Sequence, residues 1–390
     1  MGQHRTDETR RRGISRGLSL TILAVIVVVA LVVGWNLLGT SLSDDGDAAA
    51  RTCVEGEQTV TVLADADIAT PLATIAQAYS ATRPVVRDAC VTVTVRPSDP
   101  KTTLEGLTGT WDTASMGAYP AAWVPASSVW SAQLLAARSA IVDGDPESLV
   151  SSPVVLAVAP EFARAAAGRV SWIELPTLQR NDNSLAEFGL RGWGSLQMAR
   201  ASGPGSDATV LASQAVATEV GRATANGLTV ADAQSRQVTS TLLDLRRRSP
   251  VATDGSAERT LTTIAGNGDP AGAAVHAVPI TEQALYAATK DTAQPSVVEL
   301  RPQGTTPTAD HPVVDLTGPQ VSATQAEAVA AFFRFARTPD QLRTITTLGF
   351  RGGASLPTRT AAVSFDVTAT PMPAPEPAAG AAIAQLVLGG

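Results

Sequence analysis

The chain is poor in the residues that most often carry chemistry. In 390 residues it has two cysteines, three histidines (His4, His276 and His311) and an aromatic content of 4%. Scattered histidines with no Cys/His cluster give no metal-ligand spacing. No G-x-S-x-G elbow, His-Glu-x-x-His or Cys/His nucleophile pattern is present, and nothing points to a serine triad on His276 or His311. The chain therefore reads as a non-enzyme without a cofactor. Positive charge is scarce too: the net charge is −7, which removes the electrostatic footprint of a nucleic-acid binder. No repeat of solenoid length is found. What is abundant is Ala, Val and Thr, the composition of an ordered α/β protein rather than a disordered stalk.

One long run has no charge at all, Leu18–Leu38, LSLTILAVIVVVALVVGWNLL. About 20 residues at 1.5 Å each span a hydrocarbon core, and a helix satisfies its own backbone there. The run exceeds the roughly 7–15 apolar residues of a cleaved signal, although the small residues Ala48–Ala50 leave cleavage open. No cysteine ends the run to take a lipid anchor. The expectation is a cytoplasmic basic tail over 1–17, a transmembrane signal anchor over 18–38 and a spacer over 39–57. Arg5, Arg10, Arg11, Arg12 and Arg16 against Asp7 and Glu8 give the tail a net +3, and Asp44, Asp45 and Asp47 follow the run. Basic residues stay inside, so the N-terminus is cytoplasmic and the rest extracellular. Cys53 and Cys90 then share an oxidising compartment. An even count there predicts a disulfide, the alternative being two separate buried thiols.

Beyond the spacer, strand and helix patterns alternate. Thr59–Ala64 alternates as a strand, and a helix follows Asp67 with Ile68, Leu72, Ile75, Ala76 and Tyr79 on one stripe. That pair opens a βαβ unit. Cys90–Val95 is a second strand, 98–110 a short helix and turn, and AAWVP a short buried strand. Ser127 and Ser128 cap a helix carrying Trp130, Leu134 and Leu135. VVLAVAP reads as a strand buried on both faces, as in a parallel sheet. Residues 160–270 are mostly helical, with a strand before the Gly-rich turn at 203–205 and a long helix from Asp207. Strands are expected at Val275–Val278, Val297–Leu300 and Val313–Leu316, then two helices broken at Pro339. Residues 368–380 read as a Pro/Ala linker, and AAIAQLVLGG as an apolar stub too short to fold alone.

AEAVAAFFRFARTPDQLRTITTLGFRGG closely resembles the C-terminal helices of extracellular solute-binding proteins of the type II periplasmic-binding class. VTVLADADIATPLATIAQAY resembles their opening strand and helix, SSPVVLAVA their crossing strand and HAVPITEQALYA their return crossover. AWVPASSVW is similar to a W-x-P-D-S-S-x-W stretch of actinobacterial membrane-anchored proteins that also carry a von Willebrand factor A domain, with Ala126 in place of the Asp. That domain would need D-x-S-x-S after a strand; Asp254–Glu258 lacks the second Ser, so the chain is read as natively short or a fragment. The resemblance implies an α/β, two-lobed fold with two crossover strands, preceded by one transmembrane helix. Lobe 1 would comprise 58–152 and 275–358, lobe 2 would be 153–274, and 359–390 a linker and stub.

Ligands of such folds sit between the lobes, at strand ends and helix N-termini. The candidate ligand-binding residues are Asp67, Ser127, Ser128, Ser151, Ser152, Ser206, Thr281 and Glu282. Each is equally well an ordinary helix cap. Trp111, Trp123 and Trp130 either stack on a sugar ring or fill the core; Arg246–Arg248 either bind an anion or end a solvated helix. His276 reads as a core residue. The functional expectation is a membrane-anchored receptor-like module that binds an unknown small molecule for sensing or uptake. The alternative is a non-catalytic envelope scaffold with a degenerate cleft and a protein partner.

Overall fold

The computed structural model describes residues 53–366 and 370–389. The expected membrane span and its basic tail lie outside the described residues, among which no helix is long and apolar enough to cross a membrane.

The chain enters through β1 (Glu57–Ala64), whose last five residues are buried. α1 (Ala66–Ala81) starts on the Asp65 carboxylate, which accepts from the Asp67 amide at 3.2 Å. Its stripe Ile68, Leu72, Ile75, Ala76 and Tyr79 is buried, as a 3.6-residue period requires. β2 (Val85–Val86) turns through Arg87 and Asp88, both at positive φ, into β3 (Ala89–Pro97). β3 lies parallel to β1, with Glu57 opposite Cys90. The Cys53–Cys90 disulfide closes this corner, as expected. α2 (Pro100–Thr108), α3 (Thr113–Met116), β4 (Ala122–Val124) and α4 (Ser128–Arg138) follow. After β5 (Glu147–Ser148) the chain crosses on β6 (Ser152–Val158), every residue of which is buried.

The second lobe holds α5 (Pro160–Ala166), α6 (Leu175–Arg180), α7 (Ser206–Val220), α8 (Val230–Gln234), α9 (Arg236–Arg248), α10 (Ala257–Ala265), β7 (Ala277–Thr281), α11 (Glu282–Thr289), β8 (Val298–Leu300) and β9 (Thr308–Ala309). β10 (Pro312–Asp315) returns to the first sheet. α12 (Ala323–Ala336) and α13 (Pro339–Thr346) cover that sheet, and α14 (Pro377–Leu388) comes last. The first sheet runs β2-β3-β1-β4-β10-β5 and the second β7-β6-β8, with β9 also on β6.

Three expectations are corrected here. β6 is buried on both faces, but its partners β7, β8 and β9 are all antiparallel. Val154, Leu156 and Val158 enter one apolar cluster while Val155 and Ala157 enter another, so an uninterrupted apolar run arises without a parallel sheet. The return to the first lobe comes at β9–β10 rather than at 275, because β7, α11 and β8 belong to the second lobe's packing. No strand forms before the 203–205 turn. Gly192 and Gly194 at positive φ break the extended path, leaving a single bridge from Met198 to Ala277.

The start of α12 is a reciprocal capping box. The Ser322 hydroxyl accepts from the Gln325 amide at 3.2 Å, and the Gln325 side chain accepts from the Ser322 amide at 2.8 Å. Ser322→Ala is expected to lower stability by about 1 kcal/mol, read as a lower urea midpoint at unchanged slope.

Candidate ligand-binding cleft

Between the lobes lies a cleft of about 920 Å³. The first lobe contributes the β1–α1 turn at Asp65, the start of α2 with Asp99 and Lys101, and the α4 face with Trp130 and Gln133. The second lobe contributes the turn 202–205 and the first residues of α7, Ser206 and Asp207. Gly205, at φ +77, delivers the chain into α7 where a Cβ would press on Ala257.

The floor joins the lobes directly. Ser127, fully buried at the start of α4, donates its hydroxyl to Asp207 Oδ1 at 2.5 Å. Beside them Asp67, its side chain 30% exposed, accepts from His311 Nε2 at 3.0 Å. His311 is fully buried where β9 passes into β10, and the neighbouring Asp310 carboxylate accepts from the Ser128 amide at 2.7 Å.

Four carboxylates around one imidazole set the electrostatics. Burial first, then the Asp67 and Asp207 charges, push Asp65 up to about 8. Burial pushes Asp207 up to about 6 against the Ser127 hydrogen bond. Burial also raises Asp310. Burial opposes ionisation of both Asp67 and His311, but their mutual attraction and hydrogen bond win: Asp67 is held low and His311 high. Beneath the cleft, then, the attraction between Asp67 and His311 favours their charged forms, next to a carboxyl, Asp65, that is pushed up to about 8.

Of the expected ligand-binding residues, the structure brings Ser206 to the cleft wall; Ser127 and Asp67 lie beneath it, outside its lining, bonded to Asp207 and His311. Ser128 and Ser151 line a smaller hinge cavity of about 360 Å³ instead. Ser152, Thr281 and Glu282 line no part of the cleft, contrary to expectation. The Ser152 hydroxyl accepts from the Gln283 amide at 2.9 Å, and Thr281 caps α11 through the Ala284 amide. Glu282 is fully buried and bonded to Arg301 and Arg351. Thr281 and Glu282 start a helix that packs on the second lobe's sheet, and Ser152, the first residue of β6, accepts one of its free amides, so this helix start is satisfied internally.

Trp111 and Trp123 are core, and Trp130 packs in the same cluster while one edge borders the cleft. His276 is core, its Nδ1 accepting from the Gln197 amide at 3.1 Å. Arg246 donates to main-chain carbonyls of Leu386 and Gly389 instead of awaiting an anion. Two contributors escaped the sequence reading: Asp65, which its sequence position marks only as a helix cap, and α14, which walls one side of the cleft.

Two α/β lobes joined by paired crossing strands, with helix N-termini and polar groups facing an interlobe cleft, define a two-lobed binding-protein fold. The family described as bacterial extracellular solute-binding protein matches residues 60–351, and the chain belongs to it. The chain is 37% identical over 364 residues to "Uncharacterized protein Rv1836c" of Mycobacterium tuberculosis (strain ATCC 25618 / H37Rv), covering 93% of this chain and 52% of that protein. "Uncharacterized protein MT1884" of strain CDC 1551 / Oshkosh matches to the same extent. The chain therefore spans about half the length of the curated relatives it matches. Among solved structures, iron-bound HitA from Pseudomonas aeruginosa superposes at TM-score 0.54 with 14% identity, over 84% of this chain and 99% of that one. An ABC transporter protein from Clostridium perfringens gives 0.55 with 13% identity, over 84% and 97%. These likenesses establish the fold.

Proposed function

We propose that the chain is a solute receptor held at the outer face of the membrane by Leu18–Leu38, and that it binds a small organic cation between its lobes by binding alone, without catalysis. The observation that carries this is the set of carboxyl groups on the two cleft faces, Asp65 and Asp99 from one lobe and Asp207 from the other, with Lys101 the one basic side chain on the wall. A volume near 920 Å³ suits a solute of drug size. Carboxyl groups on opposite walls of the cleft suit a molecule that carries ammonium groups. A cation between Asp65 and Asp207 would contact a carboxyl group of each lobe at once. That gives it higher affinity for the closed arrangement, the differential contact a hinge motion requires.

The test is a thermal-shift panel on the full chain, comparing spermidine, putrescine, thiamine and arginine with phosphate, molybdate and citrate. The expected result is a saturable rise in melting temperature with at least one cation. Ligand at 100 times its Kd adds about 2.7 kcal/mol. Asp207→Asn should weaken that cation at least tenfold, read by calorimetry. A response to anions alone would overturn the cationic reading, and no saturable response at all would favour the envelope scaffold.

A further inference from the structure

The expected linker and stub is neither. α14 lies outside the residues that match the family, yet it buries Ala379, Gly380, Ile383, Ala384 and Val387. A twelve-residue helix has little stability in isolation, so this packing is what holds it. Its firmest contacts are with the second lobe, where Ala379, Ile383, Ala384 and Val387 enter the apolar core formed with α7, α8 and α9. Polar bonds fix it there as well. The Glu376 carboxylate accepts from the Val230 amide at 2.9 Å, the Glu376 amide donates to the Leu228 carbonyl at 2.9 Å, and Arg246 holds the Leu386 carbonyl at 2.9 Å. The approach to the helix is tied down as well, with the Thr306 amide donating to Thr370 at 2.7 Å. Toward the first lobe it rests against α4. Gly380 marks the junction. A Cβ there would stand 3.4 Å from Pro375, 3.6 Å from Gln214 of α7 and 3.8 Å from Ala132 of α4, already in van der Waals contact, so a side chain extending beyond Cβ would press on both lobes.

We propose that α14 is a latch: fixed to the second lobe by core packing and hydrogen bonds, it docks against α4 of the first and holds the two lobes together. Packing against three second-lobe helices, α7, α8 and α9, together with the bonds at Glu376 and Arg246, outweighs the contact with the single helix α4. The helix therefore travels with the second lobe, and α4 is the surface it leaves. Because Ala381, Gln385 and Leu388 also wall the cleft beside Asp65 and Asp207, seating of α14 and occupancy of the cleft are linked reciprocally. This second consequence rests on the cation-binding reading; the latch itself rests on packing alone.

The experiment is a spin-label distance between the exposed positions Gln77 of the first lobe and Ser240 of the second, on the full chain in detergent with no solute added. The parent is expected to give one narrow distribution. Gly380→Leu, which wedges the junction, and Ala132→Glu, which alters only the α4 side, should each broaden it and move its mean several ångströms longer. Ala378→Glu, on the exposed side of α14, should leave it unchanged. Narrow, parent-like distributions in both wedge variants would overturn the latch. Calorimetry with spermidine on the same variants separates the two ideas. Binding weakened about tenfold alongside the longer distance supports the linkage. Binding unaltered despite the longer distance overturns the linkage while the latch stands.

Discussion

Glu282→Gln is expected to destabilise the protein by about 3–5 kcal/mol, the cost of removing one member of a buried ionic cluster. Glu282 is 0% exposed. Arg351 grips it with two parallel bonds, Nε to Oε2 and Nη2 to Oε1, each 2.8 Å. Arg301 reaches the same carboxylate and keeps a second partner in Glu299 at 2.8 Å. Loss of the Glu282 charge therefore strands Arg351 more than Arg301. Arg351 is also the residue whose backbone pairs with Ser151, amide to carbonyl in both directions, where the chain leaves for the second lobe. The cluster thus ties the start of α11 to the hinge. Urea unfolding of Glu282→Gln should show a much lower midpoint at unchanged slope. The double variant Glu282→Leu with Arg351→Met should recover part of the loss, since replacing both charges by apolar groups removes their desolvation cost. A single-variant loss under about 0.5 kcal/mol, the range of ordinary surface substitutions, would show that the cluster does not hold the hinge.

The same residue shows why the fold was more legible than the site. β1 and α1 were readable because the apolar period changes from two to 3.6 across one polar turn, and tertiary packing kept both. The apolar run of β6 announced burial on both faces. It carried no information on strand direction, because antiparallel neighbours under two layers bury the same residues. At the site, Ser127, Asp207 and Glu282 are alike in sequence: polar residues at a helix start. A position of that kind serves a cap, a ligand or an ion pair equally. Only the folded chain shows Ser127 meeting Asp207 across the cleft while Glu282 meets Arg301 and Arg351 behind it. α14 was misread for a similar reason. Its apolar residues run on with only Gln385 polar among them, and the faces that cover them belong to α4, α7, α8 and α9, all distant in the chain. No local period distinguishes such a segment from a disordered tail.

Stability should rise as the medium is acidified from pH 8 to about pH 5.5. Asp65 at about 8 and Asp207 at about 6 both lie above the ordinary value of 3.8. Between those limits the folded state holds protons that the unfolded chain has released, so folding weakens as pH rises. His311 acts in the same sense. Its folded pKa is raised, so its stabilisation is complete below the ordinary 6.5 and is lost as pH climbs through the raised value. Asp67 is held low, so it contributes above 3.8 and fails only as pH falls through its depressed value. These directions agree over the window from about 5.5 to 8 and conflict only at stronger acid. Asp65 alone, titrating near 8, accounts for about 2 kcal/mol between pH 6 and 8 by linkage. Urea unfolding across that window should show the decline, and Asp65→Asn should flatten much of it. Stability that is level or rising from pH 6 to 8 would mean that Asp65 is ionised throughout. The cleft would then meet a cation without giving up a proton. If Asp65 does hold its proton near neutrality, a cation that needs the ionised carboxylate finds about half the molecules competent at pH 8 and about one in a hundred at pH 6. Its apparent affinity should fall roughly fifty-fold over the same two units, and calorimetry in buffers of different ionisation heat should detect the proton it displaces.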